Sequence, residues 1–454
     1  MKLSPLYRNV LVIAAPAVVE LVLTSATSLA DTIMVGQLGA YAISAVGLTN
    51  QPRLIMLATF VALNVGTTAL VARFKGQKNK AEAGIVTTQS ILLTLLLGFL
   101  LTIPGVVFAR SMVTLMGAGP DTIEAGTVYF QILMLGFIPT VLPISISALL
   151  RGVGDTKLAM RYNLTANLVN ILFNYLLIYG KFGFPRLGVA GAAVATVIGN
   201  CVGCAMALWA ILGRPFRKPG KAASEFIELH FSRANVKPDF AMLKRIFKIG
   251  LPSAGEQVAL RLGLLLYTLS VSALGTNVFA AHQIVLTILN LSFVNGQAFG
   301  IAATSLTGQA LGRGDPAGAK AASAACQRVG ALISTLMGIV MFFLRRQLIG
   351  CFTQESVIIE LGASVMLLAA INQPFSSSFQ IYSGALRGAG DSLYPALSMA
   401  IGTLGIRPLL AVIMIKFFSL GLFGAWIALM TDVIARFFLI AIRYRRGRWV
   451  HITV

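Results

Sequence analysis

Four carboxylates lie inside long apolar runs of this chain: Glu20, Asp31, Glu256 and Asp432. A charge at the centre of a bilayer costs about 2.5–3.5 kcal/mol on insertion scales, so such groups are either paired or functional. A carboxyl group in low dielectric resists ionisation and can exchange a proton near neutral pH. Ionised oxygens with nearby carbonyls equally suit Na⁺. Glu20 and Asp31 are eleven residues apart, which on a helix is a net rotation of about 20° and a rise of roughly 16 Å. Both therefore lie on one face. Glu20 stands about 18 Å of helix beyond Arg8, near mid-membrane, and Asp31 nearer the outer side. The competing structural readings are that Asp31 caps a break before Gly36, or that either acid pairs with Arg53.

A stripe of amides accompanies them. Asn163, Asn167, Asn170 and Asn174 recur at spacings of four, three and four, on one face of an otherwise apolar helix. They serve either as interhelical hydrogen bonds, worth about 0.6–2 kcal/mol each, or as the lining of a wet cation pocket with Asp31 and Glu20. A second polar line, Gln283, Asn290 and Gln297, recurs every seven residues beside His282. With Tyr267, Phe279, Phe293, Phe299 and Gln373 it is a candidate wall for a large, flat organic cation, since ring faces attract positive charge. Any one of these aromatics, and His282 itself, reads equally as packing. Glu256 is a candidate for substrate or proton binding, against an ion pair with another helix. Asp432 and Arg436, four apart, face each other. They read as a charge-neutral structural pair that Arg407 could join.

The rest of the chemistry is absent. Cys201, Cys204, Cys326 and Cys351 give no disulfide framework, and the Cys-x-x-Cys lies inside an apolar span where small residues pack helices. There is no phosphate-binding loop, zinc motif or nucleophile elbow. The expectation is a protein that is not an enzyme and needs no cofactor.

The elements that must position these residues are membrane helices. Of 454 residues, 57% are hydrophobic and 11% charged, against roughly 25% charged in a soluble domain. A spanning helix needs about 20 apolar residues, and backbone in lipid must bond within itself. Hydropathy predicts spans at 9–34, 45–72, 87–109, 125–149, 159–180, 188–212, 246–274, 280–308, 323–345, 361–385, 394–418 and 421–442. The first is no cleaved signal, being too long, acidic and followed by further spans. With the N-terminus inside, most of the 36 Lys and Arg residues fall in cytoplasmic loops and tails. That bias predicts cytoplasmic termini. The net charge of +21 then serves orientation and contact with anionic lipid rather than nucleic acid.

The chain also repeats itself. A shift of 236 residues puts Pro16 on Pro252, Glu20 on Glu256, Thr68 on Thr304, and Leu150-Arg151-Gly152-Val153-Gly154-Asp155 on Leu386-Arg387-Gly388-Ala389-Gly390-Asp391. Six spans per unit return the chain to its starting side, so the repeats are parallel, with a pseudo-twofold axis along the membrane normal. Such repeats place substrate at their interface. The expected fold is an all-α membrane protein of twelve transmembrane helices in two pseudo-symmetric six-helix bundles. Expected domains are an N-lobe at 1–212, a basic cytoplasmic linker at 213–245 and a C-lobe at 246–454. The two Leu-Arg-Gly-x-Gly-Asp turns read as structural or gating elements at cytoplasmic helix ends.

These motifs resemble the multidrug and toxic compound extrusion (MATE) family. The resemblance rests on Pro-x3-Glu…Asp-Thr-Ile-Met-Val-Gly-x-Leu-Gly at 16–39 and on the two Leu-Arg-Gly-x-Gly-Asp runs. It also rests on Asn-x-x-Asn-x-x-x-Asn-Tyr-Leu-Leu-Ile at 167–178, Ala-Ala-His-Gln-Ile at 280–284 and Phe-Gly-Ile-Ala-Ala-Thr-x-x-x-Gly-Gln at 299–309. The resemblance implies two bundles around a V-shaped central cavity and export of cationic drugs or metabolites against H⁺ or Na⁺. It implies a bacterial inner-membrane location and, as partners, small organic cations and the lipid bilayer; a monomer is expected. Where many members carry an acid, this chain has Asn174, and Ser376 stands where one branch has an acid in the tenth helix.

The repeat locates the coupling ion. Opposite Asn163, Asn167, Asn170 and Asn174 the second half has Met399, Thr403, Ile406 and Leu410, and opposite Asp31 it has Tyr267. If the amides were only glue for the shared fold, both halves would need them. Asp31, Glu20, Asn167, Asn170 and Asn174 are therefore the expected cation-coupling set, with Asp31 the ligand if the ion is Na⁺. Rival functions are a flippase for lipid-linked saccharides, which would use Arg53, Arg261 and Arg407 on anionic headgroups, and a non-transporting channel or receptor.

Overall fold

The computed structural model describes residues 4–212, 226–227 and 237–452. Among these, every regular element is helical. The described residues form twelve rods: α1 Pro5–Gly36, α2 Ala40–Gly76, α3 Lys80–Val107, α4 in two arms (α4a Ile123–Leu135 and α4b Phe137–Gly152), α5 Thr156–Tyr179, α6 Gly188–Ile211, α7 Phe240–Ser272, α8 Thr276–Gly312, α9 Pro316–Phe343, α10 Ser356–Gly388, α11 Leu393–Phe417 and α12 Gly421–Arg445. Short helices Ala109–Leu115 and Arg345–Gly350 follow α3 and α9.

The 236-residue register survives in three dimensions. α2 and α8 both have 37 residues and α3 and α9 both have 28, each pair in that register. The turns before α2 and α8 use Gly39 at φ 113° and Gly275 at φ 103°, a region that L side chains rarely enter. At the ends of the fourth and tenth rods, Asp155 N–H donates to the Leu150 carbonyl and Asp391 N–H to that of Leu386, both at 2.8 Å. Gly152 packs where an added Cβ would lie 2.9 Å from the Thr68 carbonyl oxygen, and a Cβ on Gly388 would strike the Thr304 carbonyl. Thr68 Oγ1 donates to Ala148 O at 3.0 Å, and Thr304 Oγ1 to Gly384 O at 2.8 Å.

Among the described residues, nine helices are long and apolar enough to cross a membrane, and ten if the arms of α4, bent by 52°, form one span. Twelve spans were expected. The two rods that fall short are α5 and α7. α5 carries the four asparagines with Lys157 and Arg161, and α7 carries Lys244, Arg245, Lys248, Glu256 and Arg261. The bilayer's signature is clearest on α3 and α9. Leu96, Leu100, Ile103 and Val107 are exposed, and so are their repeat partners Leu332, Leu336, Ile339 and Phe343. Such continuous apolar stripes require a lipid cover.

Two compact units are present. One comprises residues 19–247, with a core of Phe60, Tyr129, Phe130, Leu133, Phe137 and Val141. The other comprises residues up to Val18 together with those from Lys248 onward. In it Tyr267, Val285, Met341, Met366 and Trp426 share one core. In a further cluster Val10, Ile13 and Ala14 of α1 pack with Phe299, Ala302 and Ile381. The first turns of α1 thus belong with the later helices. Most of the expected linker 213–245 lies outside the described residues.

Within α11 the helix widens. Residues Ala400–Ile406 and Ile413–Phe417 are π-helical, on either side of an α-helical turn starting at Arg407-Pro408. Such widenings are rare and are frequent at functional sites.

Candidate functional site

α1 and α5 run side by side, in the same direction and in register. Asn163 Nδ2 donates to Glu20 Oε1 at 2.8 Å, Asn167 Nδ2 to Thr24 Oγ1 at 3.5 Å, and Asn174 Nδ2 to Asp31 Oδ1 at 2.5 Å. Each pair is 143 residues apart. The asparagine face of α5 therefore reads the polar face of α1 rung by rung. With the Asn170 amide nitrogen turned to the carboxylate, Asn170 donates to Asp31 Oδ1 at 2.9 Å. Its oxygen then accepts from the hydroxyl and N–H of Thr196, each at 3.2 Å. Asn170 and Asn174 are buried, whereas Asp31 is partly exposed. Asn174 Oδ1 is buried without a partner. The structure thus brings Asp31, Asn170 and Asn174 into one network. Asn167 lies one rung away, on Thr24.

Glu20 engages different partners from Asp31. Arg151 Nη2 donates to its Oε1 at 2.7 Å, beside the Asn163 contact. Glu256, its repeat partner, is bound by Arg387 Nη2. Glu256 thus has an ion-pair partner on another helix, and so does Glu20, with Arg151 in place of Arg53. Sequence reasoning missed both arginines as partners. Their signal was present, because Arg151 and Arg387 keep the same 236-residue register as the two glutamates.

Asp432 is wholly buried between two guanidinium groups. Arg407 donates from Nε at 2.9 Å and Nη2 at 2.6 Å, and Arg436 from Nε at 2.8 Å and Nη2 at 3.0 Å. The expected neutral pair is instead a triad with an excess positive charge, because Arg407 joins it. Aromatic faces support both cations: Tyr267 lies 5.6 Å from Arg407 and Phe379 4.8 Å from Arg436. Gly402 leaves the necessary room, since a Cβ there would collide with Asp432 and Arg436. Tyr267 replaces Asp31 in this repeat, so an aromatic–arginine contact stands where the other repeat has a carboxylate and amides.

The expected substrate wall divides in two. Gln283, Asn290 and Gln297 are exposed along one face of α8, with Phe293 beside them. Tyr267, His282 and Gln373 are buried in the interior, and Phe299 with them. Tyr267 donates its hydroxyl to Ala425 O at 3.1 Å. His282 stacks edge-on to Tyr267 and Trp426, at 5.5 and 5.7 Å between ring centres. Gln373 Oε1 accepts from Ser292 at 2.5 Å. A helix of 3.6 residues per turn separates His282 from Gln283 by about 100°, and this splits the set. A buried polar seam formed by Ser292, Asn295 and Ser334 was not foreseen. Asn295 donates to Ser334 Oγ at 2.7 Å and Gly330 O at 3.0 Å. Among the described residues, no three His, Cys, Asp or Glu side chains are grouped to hold a metal.

Comparison with known proteins adds the family. The family model MatE matches twice, at residues 16–176 and 252–413, each match beginning on the proline of the repeat. A probable multidrug resistance protein NorM of Thermotoga maritima is 30% identical, the alignment covering 97% of this chain and 93% of that protein. The multidrug resistance protein PmpM of Pseudomonas aeruginosa is 28% identical over 85% of this chain and 79% of its own. Among solved structures, a Pyrococcus furiosus transporter, described as having a binding pocket of reversed polarity that suggests a different function, superposes with a TM-score of 0.89. It is 24% identical and covers 99% of this chain and 98% of its own. An outward-facing multidrug resistance transporter superposes with a TM-score of 0.88 at 24% identity, again covering 99% and 98%. Two family matches in the register of the internal repeat, on a chain of apolar helices, show that this protein belongs to the multidrug and toxic compound extrusion (MATE) family of multi-pass membrane transporters.

Proposed function

We propose that the chain is an efflux antiporter: it exports organic, mainly cationic, drugs or metabolites by alternating access in exchange for a cation taken up at Asp31. One observation carries this reading. A membrane carboxylate is held by two amides of a parallel helix in one repeat only, while the equivalent position of the other repeat is Tyr267. A group serving the shared fold would recur, and one serving the driving ion need not. Asn170 and Asn174 turn N–H groups rather than oxygens towards Asp31 Oδ1, so they add no ligand for a metal cation there, and this supports a proton over Na⁺ as the exchanged ion. The unpartnered Asn174 Oδ1 keeps Na⁺ as the second reading.

Gln283, Asn290 and Gln297 support the substrate face. Exposed amides in the middle of a 37-residue membrane helix are costly against lipid and natural against water. Tyr267, His282 and Gln373 would meet cargo only when helices of their unit part. The names of the relatives, multidrug resistance proteins of several bacteria, support drugs as cargo. The excess of Lys and Arg in alternate loops supports cytoplasmic termini in a bacterial inner membrane, and the proposal takes the protein as a monomer. A second reading is a flippase for anionic, lipid-linked saccharides. The triad's excess positive charge favours it.

Everted membrane vesicles decide between these. Ethidium extrusion driven by a pH gradient, and unaffected by a sodium gradient, is the expected result. Extrusion driven only by sodium selects Na⁺. Absence of extrusion under either gradient, with movement of a lipid-linked saccharide across the bilayer, would select the flippase.

A further inference from the structure

The Glu20–Arg151 and Glu256–Arg387 pairs are one device built twice. Each joins the first rod of a repeat to the end of the fourth, and each spans 131 residues. In each the arginine uses Nη2 and the glutamate Oε1. Side-chain exposure matches too, at 24% and 6% for Arg151 and Glu20 and 24% and 4% for Arg387 and Glu256. The two repeats have otherwise diverged in their buried chemistry: Tyr267 stands opposite Asp31, and Met399 stands opposite Asn163, which supports Glu20.

Both pairs are also incomplete in the same way. Glu20 Oε2 and Arg151 Nε are buried without partners, and so are Glu256 Oε2 and Arg387 Nε. A guanidinium fork and a carboxylate can make two parallel bonds. A permanent staple in low dielectric would be expected to make both, since an unmet buried polar group is destabilising. Here the same donor and the same acceptor are left over in both copies. One turn before each glutamate stands a proline inside the helix, Pro16 in α1 and Pro252 in α7. Proline removes a backbone hydrogen bond there and makes a bending point.

We infer that the two pairs are reversible clasps, each closing the first helix of a repeat against the turn of the Leu-Arg-Gly-x-Gly-Asp motif and opening during the transport cycle. Glu20, Arg151, Glu256 and Arg387 are positioning residues in this account: they set the conformation and touch neither cargo nor the driving ion.

Two measurements test this on the full-length protein in proteoliposomes and in detergent. Hydrogen–deuterium exchange of the unaltered protein should change, by at least threefold in rate, in peptides covering both 12–24 and 248–260 when ethidium is added. Unchanged exchange in both peptides, with ethidium bound, overturns the inference. The variants Glu20→Gln, Arg151→Gln, Glu256→Gln and Arg387→Gln should each lower the maximal efflux rate at least tenfold and shift the half-saturating ethidium concentration less than twofold. The exchanged pair Glu20→Arg with Arg151→Glu should regain at least a third of the rate. A loss confined to affinity, a wild-type rate in the single variants, or an exchanged pair no better than them would each contradict it. If the Gln variants do not fold at all, the pairs are permanent staples and the clasp is likewise refuted.

Discussion

Replacing Asp31 by Asn is the sharpest perturbation of the site, because it changes charge and almost nothing else. The substituted amide keeps a side-chain oxygen where Asp31 Oδ1 accepts from Asn174 at 2.5 Å and from Asn170 at 2.9 Å. Hydrogen bonds to a charged group are worth about 1.5–3 kcal/mol and neutral ones about 0.5–1.5, so the two contacts lose roughly 2–3 kcal/mol together. Against this, removing the charge recovers about 2.5–3.5 kcal/mol of its cost in the membrane. The terms nearly cancel, and the variant should fold and insert with a melting temperature close to that of the wild type. Transport should not survive. An amide neither takes up a proton nor supplies the charge that a bound cation needs, so gradient-driven efflux should fall at least a hundredfold. Proteoliposomes loaded with ethidium under an imposed pH gradient, with the melting temperature of the same preparation, supply both numbers. A well-folded variant that still pumps at a tenth of the wild-type rate or more would refute the assignment of Asp31.

Other consequences are as definite. Asp432→Asn should leave Arg407 and Arg436 facing each other without a carboxylate, at a loss of about 3–5 kcal/mol, read as a collapse in thermal stability or in membrane yield. Gly388→Ala should destabilise by about 1–3 kcal/mol or more through overpacking against the Thr304 carbonyl. Gly47→Ala in α2, where an added Cβ meets nothing within 4 Å, should be neutral or stabilising by up to about 1 kcal/mol in the same melting assay. Replacing Asn290 and Gln297 by Leu should weaken ethidium binding several-fold in a fluorescence titration and leave the melting temperature unchanged, since both are exposed.

Much of the architecture could be read from the residues because membrane helices advertise themselves through length and apolarity. The repeat advertised itself through constant register. Pro16 and Pro252, Thr68 and Thr304, and Gly152 and Gly388 were matched in sequence and perform matched tasks in the fold. The amide stripe of α5 met α1 as its spacing implied, because a helix face is fixed by the 3.6-residue period alone. Pairing between distant helices was harder to read. The register that revealed Glu20 and Glu256 also held Arg151 and Arg387, yet nothing in one-dimensional spacing says that an arginine at a helix end reaches across 131 residues. The substrate wall split in two for a simpler reason. His282 and Gln283 are neighbours in sequence and point about 100° apart on a helix, so a polar line and an aromatic cluster were merged that the fold keeps separate. That Arg407 could join Asp432 and Arg436 was legible in the sequence; that it does join them was not, because α11 widens on both sides of Arg407 and such π segments carry no pattern in the sequence.

The central claim is that cargo and the driving cation compete through Asp31. It is tested most directly by recording proton release from the purified protein in weakly buffered detergent solution as ethidium is added. The account predicts about one proton released per drug bound by the wild type and none by the Asp31→Asn variant. Drug binding by the wild type with no proton released and no sensitivity to sodium, or equal release from both proteins, would contradict it.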